Sequence, residues 1–70
     1  MTTMIVSPRI MLNPSTEEER ETVTKLDAEW RTTLENKIAE GWIAVVINRS
    51  ENPLAGTYYH TAMLHRVEDK

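Results

Sequence analysis

The stretch ENKIAEGWIAVV, residues 35–46, decides the fold because it holds the end of a helix and the start of a strand. A helical pattern of charged and apolar residues runs up to Glu40 and is interrupted by Gly41. Glycine at this place adopts the left-handed conformation that satisfies the last carbonyls of a helix and turns the chain sharply. Trp42 follows directly, and we expect its indole to fold back onto the last helical turn and fill that corner.

The strand that begins at Trp42 and ends near residue 48 is apolar on both faces. Successive side chains of a strand point to opposite sides. One face therefore carries Ile43, Val45 and Ile47, and the other carries Trp42, Ala44 and Val46. A strand with one face in water alternates apolar and polar residues instead. The predicted helix covers only one face, so we expect another subunit to cover the second. The residues predicted for this oligomer interface are Trp42, Ala44 and Val46.

An apolar stripe with helical spacing precedes Gly41. Its members lie 3, 4, 4 and 4 residues apart and are Val23, Leu26, Trp30, Leu34 and Ile38. This spacing predicts a helix over about residues 15–40 that lies on a sheet. The helix is predicted to start either with Asn13 as the cap and Pro14 in the first turn, or with a capping box of Ser15 and Glu18. Asp27 falls inside the stripe, so it either lies at the stripe's margin or meets a basic or hydrogen-bonding partner across an interface.

Two further strands complete the predicted fold. The first, over about residues 4–12, contains Pro8, which has no N–H to donate, so this strand should lie at an edge or be broken in two. The last covers about residues 57–67, after a turn-rich loop, and residues 68–70 should fray. The chain is thus predicted to be one α+β domain of residues 1–70. It is a two-layer β-α-β-β arrangement, with one long helix on a three-stranded, mainly antiparallel sheet whose last strand is central.

Length and composition limit what this domain can do. A chain of 70 residues buries only a modest core and usually needs a disulfide, a metal, a partner or unusually regular packing. The absence of cysteine removes disulfides and thiolate metal sites, and it fits a reducing cytoplasm. No apolar run approaches the roughly 20 residues that span a bilayer, and the N-terminal residues lack signal-peptide features. We therefore expect a soluble, cytoplasmic protein with no membrane partner.

The charge is distributed unevenly. Residues 16–40 carry eight acidic and four basic residues, whereas residues 41–67 carry one acidic and two basic residues. An acidic helical layer argues against nucleic-acid binding, which needs a basic face. It would suit a basic protein surface, and its ordinary interpretation is a solvated helix flank.

The two histidines offer little chemistry. His60 and His65 lie five residues apart on one predicted strand, so their imidazoles point to opposite faces and cannot bind one metal together. No nucleophile, metal cluster or phosphate loop accompanies them. We therefore expect a protein that is not an enzyme and that needs no cofactor or metal. A small histidine-dependent enzyme ranks last among the functions considered.

A more interesting group surrounds the second and third strands. Aromatic, histidine and arginine side chains on an exposed sheet bind planar or anionic ligands by stacking and bidentate hydrogen bonds. They are equally typical of protein interface cores, in which case one tyrosine packs in the core and another closes a subunit interface. The residues predicted to bind a ligand or partner are Arg49, Tyr58, His60 and Arg66.

Residues 34–66, LENKIAEGWIAVVINRSENPLAGTYYHTAMLHR, resemble small bacterial and phage domains of unknown function. Their pattern is a helix ending in Leu-Asn, five residues and Gly-Trp, and a later strand of the type Tyr-x-x-Ala-Met-Leu-x-Arg. Glu35 stands where that pattern has asparagine. The resemblance implies this fold and frequent oligomerisation, and it supplies no catalytic residues. The matching positions are Leu34, Gly41, Trp42, Tyr59, Ala62, Met63, Leu64 and Arg66.

These features predict a small non-enzymatic binding module that acts as a homo-oligomer. By analogy with proteins of this kind, it would be a phage-encoded inhibitor and host-defence antagonist in the host cytoplasm. It would block a host protein or sequester a small anionic ligand. The alternative is a structural or assembly subunit that joins larger particles.

Overall fold

In the computed structural model, which describes residues 1–67, one long helix packs against an antiparallel sheet. The sheet is organised around its last strand, β4, which pairs with β1 and β2 on one side and with β3 on the other. The α+β class is confirmed, but the sheet has four strands where three were predicted. The elements are β1 (Thr2–Val6), β2 (Ile10–Met11), α1 (Glu17–Ala39), β3 (Ile43–Asn52) and β4 (Thr57–His65).

The fourth strand arises because the predicted first strand is broken at Pro8. The backbone N–H of Ser7 donates to the carbonyl of His60 at 2.8 Å, and the N–H of His60 donates back to the Ser7 hydroxyl at 2.7 Å. The hydroxyl of buried Ser7 thus replaces the backbone carbonyl that a regular ladder would present. Pairing resumes at Ile10, on the same side of β4.

The start of the helix differs from both predicted caps. Thr16 is the N-cap: its hydroxyl accepts from the N–H of Glu19 at 3.1 Å, and the Glu19 carboxylate accepts from the N–H of Thr16 at 3.1 Å. Glu19 also accepts from the Ser15 hydroxyl at 2.9 Å. Hydrogen bonds from Ser15 and then from Thr16 hold the pKa of Glu19 below its usual range. Several neighbouring residues can cap a helix, and this one uses the pair that closes a reciprocal box.

The end of the helix follows the prediction. Gly41 has φ of +103°, its N–H donates to the carbonyl of Ile38 at 3.0 Å, and the N–H of Trp42 donates to the carbonyl of Lys37 at 3.1 Å. This pair of bonds is the Schellman motif, which satisfies the last helical carbonyls. Trp42 is half-buried and packs with Leu34 against the core around Trp30.

The two strands after the helix have different bounds from those predicted. β3 continues to Asn52, beyond the predicted end at residue 48, because its last residues pair with Thr57–His60 of β4. The connecting turn is therefore limited to residues 53–56, and β4 ends at His65. The predicted fraying of residues 68–70 falls outside the described residues.

A β-bulge in β3 changes which side chains share a face. Ala44 pairs with Leu64 and Val46 pairs with Met63, so Val45 is an extra residue and the alternation shifts phase there. Ala44 therefore lies on the helix side and Val46 on the open side. The prediction that Trp42, Ala44 and Val46 share the uncovered face is wrong for Trp42 and Ala44, which pack against the core.

The buried core is small and the molecule is elongated. Within the described residues, the buried apolar side chains are Ile10, Trp30, Tyr58, Ala62 and Leu64. The radius of gyration is 14.3 Å, whereas a compact chain of this length has a value of about 11 Å. The principal dimensions are 51 × 22 × 12 Å. The molecule is thus a thin, elongated plate with one helix on one side.

Replacing Gly41 tests the helix end. Gly41→Val should lower the free energy of unfolding by at least about 1–2 kcal/mol, because a side chain at positive φ is strained. Urea unfolding measures the loss. Glu40→Val is the matched control, because Glu40 has φ of −79° and is exposed. Equal stability of the two variants would contradict the assigned cap.

Candidate functional site

Asp27 is the centre of a polar contact between the helix and the sheet. The Tyr58 hydroxyl donates to its two carboxylate oxygens at 3.1 and 3.0 Å. Nε2 of His60 lies 3.0 Å from Asp27 Oδ1 and donates to it. The Asp27 side chain is 45% exposed, so it lies at the margin of the stripe, and its hydrogen-bonding partners belong to β4 of the same chain rather than to another subunit.

Aromatic contacts fix the orientation of the imidazole in this group. The Trp30 and His60 rings are stacked, with centroids 5.6 Å apart and planes inclined by 16°. Tyr58 meets His60 edge to face, at 5.4 Å and 81°. We call Asp27, Trp30, Tyr58 and His60 the Asp27 cluster. Its members come from the inner face of α1 and the helix side of β4, so it joins the two layers.

Arg49 extends the cluster at the surface. Its guanidinium lies 4.0 Å from the centre of the Tyr58 ring and 3.2 Å from the Glu51 carboxylate. Both partners of that ion pair are half-exposed, so the pair contributes little to stability. The stacking on Tyr58 is worth roughly 0.5–1 kcal/mol at such an exposed site. Arg49 thus covers the outer side of Tyr58.

The surroundings of Tyr58 change its acidity. Burial raises the pKa of the Tyr58 phenol, and the hydrogen bond to the Asp27 carboxylate raises it further. The positive charge of Arg49 opposes this shift. The phenol is thereby held in its neutral, donating form, which is the form that the Asp27 carboxylate needs.

The structure brings together three of the four residues predicted to bind a ligand or partner. Arg49, Tyr58 and His60 are neighbours, whereas Arg66 lies six residues from His60 along the chain, about 20 Å in an extended strand. The Arg66 guanidinium is 5.9 Å from the Trp42 ring, and its backbone pairs with Met1. The donors of Tyr58 and His60 already bind a carboxylate. Tyr58 and His60 therefore hold Asp27, Arg49 stacks on Tyr58, and an anionic ligand at these residues would meet the negative charge of Asp27.

Of the predicted oligomer-interface residues, Val46 lies on the open face of the sheet. Met4 pairs with Met63, and Met63 pairs with Val46, so these three form a row across β1, β4 and β3. Val6 and Ile43 flank the row on the same face. We call these five residues the open-face patch, and each has between 36% and 59% of its surface exposed. Its members are Met4, Val6, Ile43, Val46 and Met63.

Sequence reasoning missed the parts of both groups that depend on contacts between distant residues. Met4 and Val6 could have been found from the alternation of polar and apolar residues in TTMIV. Asp27 was conspicuous as an acid inside an apolar stripe, but its partners Tyr58 and His60 lie 31 and 33 residues away.

Other kinds of site find little support in the described residues. Between residues 1 and 67, no three histidine, aspartate or glutamate side chains are placed to hold a metal ion. In the same part of the chain, no helix is long and apolar enough to cross a membrane. Comparison with protein-family models, with curated proteins and with solved structures found no match. The resemblance over residues 34–66 therefore stays a prediction.

Removing the carboxylate tests the Asp27 cluster. Asp27→Ala should lower the free energy of unfolding by about 1–3 kcal/mol, because two largely buried donors lose their acceptor. Urea unfolding of Asp27→Ala, Tyr58→Phe and the double variant gives the coupling between the two side chains. Glu29→Ala, an exposed acid on the same helix, should change stability by less than about 0.5 kcal/mol. If the stability losses of Asp27→Ala and Tyr58→Phe simply add in the double variant, the contact between the two side chains contributes nothing to stability.

The raised pKa of Tyr58 predicts a loss of stability at alkaline pH. The native state keeps the phenol proton to higher pH than the unfolded chain does. The contribution of the neutral Tyr58 phenol to the free energy of unfolding is therefore complete below about pH 10. It is lost as the pH rises through the pKa that Tyr58 has in the folded chain. Tyr58→Phe should lose less stability than the unmodified chain between about pH 8 and pH 11. A Tyr58→Phe curve identical to that of the unmodified chain would contradict the assignment.

Proposed function

We propose that this chain is a non-enzymatic, protein-binding module that works as a homo-oligomer. The observation that carries the proposal is the excess of exposed surface over buried core. The chain exposes 5338 Å², whereas a folded monomer of its mass exposes about 4,500 Å². Within the described residues, five apolar side chains are buried, whereas twelve large ones are exposed.

The open face of the sheet is the surface best suited to this role. Its central open-face patch exposes apolar side chains on the order of 500 Å², close to the apolar share of one side of a standard interface. In the described strands, the side chains on this face include no aspartate, glutamate, lysine or arginine. Interface cores are depleted of these residues, because burying an unpaired charge is costly.

A second copy of the same chain is the occupant that this face fits. Two copies related by a twofold axis present the same patch to each other, so apolar side chains meet apolar side chains and no charged side chain of the strands is buried. A partner with a charged surface would leave its own charges unpaired against this face.

Such an oligomer leaves the helices outside. Residues 16–40 have eight acidic and four basic residues, so each outer layer carries a net charge of −4. A negative surface of this kind attracts a basic protein surface. The Asp27 carboxylate disfavours the other predicted target, a small anion at Arg49, Tyr58 and His60. The proposed target is therefore a basic protein surface.

Light scattering after size-exclusion chromatography tests the proposal. The unmodified chain should elute as a closed assembly with an even number of copies, and Val46→Asp should shift it to monomer or abolish folding. Asn48→Asp adds the same charge to the same face at a polar, exposed position and should leave most of the assembly intact.

Three outcomes would count against the proposal. A monomeric unmodified chain would remove its basis, and an oligomeric Val46→Asp would show that the open face is not the interface. Assemblies that grow without limit as concentration rises would favour the structural subunit over the binding module. The circular dichroism of Val46→Asp separates dissociation from unfolding.

A further inference from the structure

β3 has a second exposed apolar surface that the open face does not explain. Ile47 pairs with Ala62, which lies beneath the helix, yet Ile47 itself is 61% exposed. The bulged Val45 is 60% exposed. The helix covers the middle of the sheet and leaves this part of β3 bare. A partner on the open face would bury Val46 and leave Ile47 in water.

The free edge of β3 lies beside these side chains. Among the described residues, β3 pairs only with β4, so its other edge has no strand partner. Exposed edges are templates for pairing with another chain, and proteins usually block them with proline, charged side chains, bulges or short strands. β3 is ten residues long and contains no proline or lysine; its bulge is confined to Val45, and its two charged residues, Arg49 and Glu51, form an ion pair with each other. The opposite edge of the sheet is interrupted at Pro8, so the two edges differ in their capacity to pair.

We propose, on the basis of the homo-oligomer proposed above, that β3 of one copy pairs antiparallel with β3 of a second copy. The sheet then continues from one subunit into the next through a twofold axis. β3 is regular from Val46 to Asn52, beyond the bulge, so the backbone on either side of Ile47, from Val46 to Asn48, presents regular donors and acceptors.

Side-chain chemistry favours a register centred on Ile47. The two Ile47 side chains are then directly opposite on the helix side, with Cβ atoms about 5 Å apart. Val46 then faces Asn48 and Arg49 faces the bulged Val45 of the second copy, so no like charges are opposed. A register centred on Arg49 would place two guanidinium groups opposite each other. The apolar residues of β3 therefore specify both the partner and the alignment.

The edge pairing and the open-face contact use different surfaces of the same chain. Each is a contact between identical surfaces, so each has its own twofold axis. Where the two axes intersect at right angles, these two interfaces on one chain close into a tetramer of dihedral symmetry. In this assembly β3 is covered on the open face by one neighbour and along its edge by another, which accounts for its apolar side chains on both faces.

Cysteine cross-linking tests this inference, because the chain has no cysteine of its own. Under mild oxidation, Ile47→Cys should form a disulfide-linked dimer in most of the protein, since the two thiols lie opposite each other. Leu54→Cys, at the fully exposed hairpin turn, is the control and should remain mostly unlinked. Met63→Cys reports contact through the open face.

The results separate the two proposals. Linkage of Ile47→Cys well above the Leu54→Cys control supports the edge pairing. Linkage of Met63→Cys without Ile47→Cys, in a chain that light scattering shows to be oligomeric, overturns the edge pairing and leaves the homo-oligomer standing. A monomeric chain overturns both.

Backbone hydrogen exchange gives a second measurement without substitution. In the assembled protein, amides of β3 that point towards β4 and amides that point away should both exchange slowly. Fast exchange of alternate amides between Val46 and Asn52 would show that the edge is free and would overturn the inference.

Discussion

One helix can cover only one face of a sheet, and this limit governs the structure. The 23 residues of α1 pack through Trp30 onto β4, the strand that pairs with all the others. Among the described residues, the largest fully enclosed side chains, Ile10 of β2 and Leu64 of β4, lie on the helix side of the sheet. The other face and the outer edge of β3 retain exposed apolar side chains, among them Val46 and Ile47.

The distribution of polar groups is consistent with a helix that covers only one face of the sheet. Charged side chains are concentrated on the helix, and the open face of the described strands has none. The one acid that enters the layer between helix and sheet, Asp27, is held by Tyr58 and His60. This contact does not create an obvious ligand site, because its donors are already engaged. It fixes how the helix lies on β4, and thus which part of β3 stays uncovered.

Features set by local sequence were predictable, and those set by distant contacts were not. Gly41 marked the helix end because a single residue supplies the required conformation, and Pro8 marked the broken edge because it lacks an N–H. The bulge at Val45 has no local signal: no glycine marks it, and it appears only in the pairing with β4. The faces assigned to Trp42 and Ala44 were wrong for that reason. Arg66 lies beyond the end of β4, and its guanidinium is near the Trp42 ring, a contact with a residue 24 positions away that the sequence does not indicate.

The dependence of unfolding on protein concentration tests the central claim most directly, namely that this chain needs a second copy to complete its fold. Unfolding of an obligate oligomer is coupled to dissociation, so its midpoint depends on concentration. The urea midpoint of the unmodified chain should rise steadily as concentration increases from about 1 to about 100 μM. A midpoint that stays constant over this range, with a single cooperative transition, would show a self-sufficient monomer and would contradict the account.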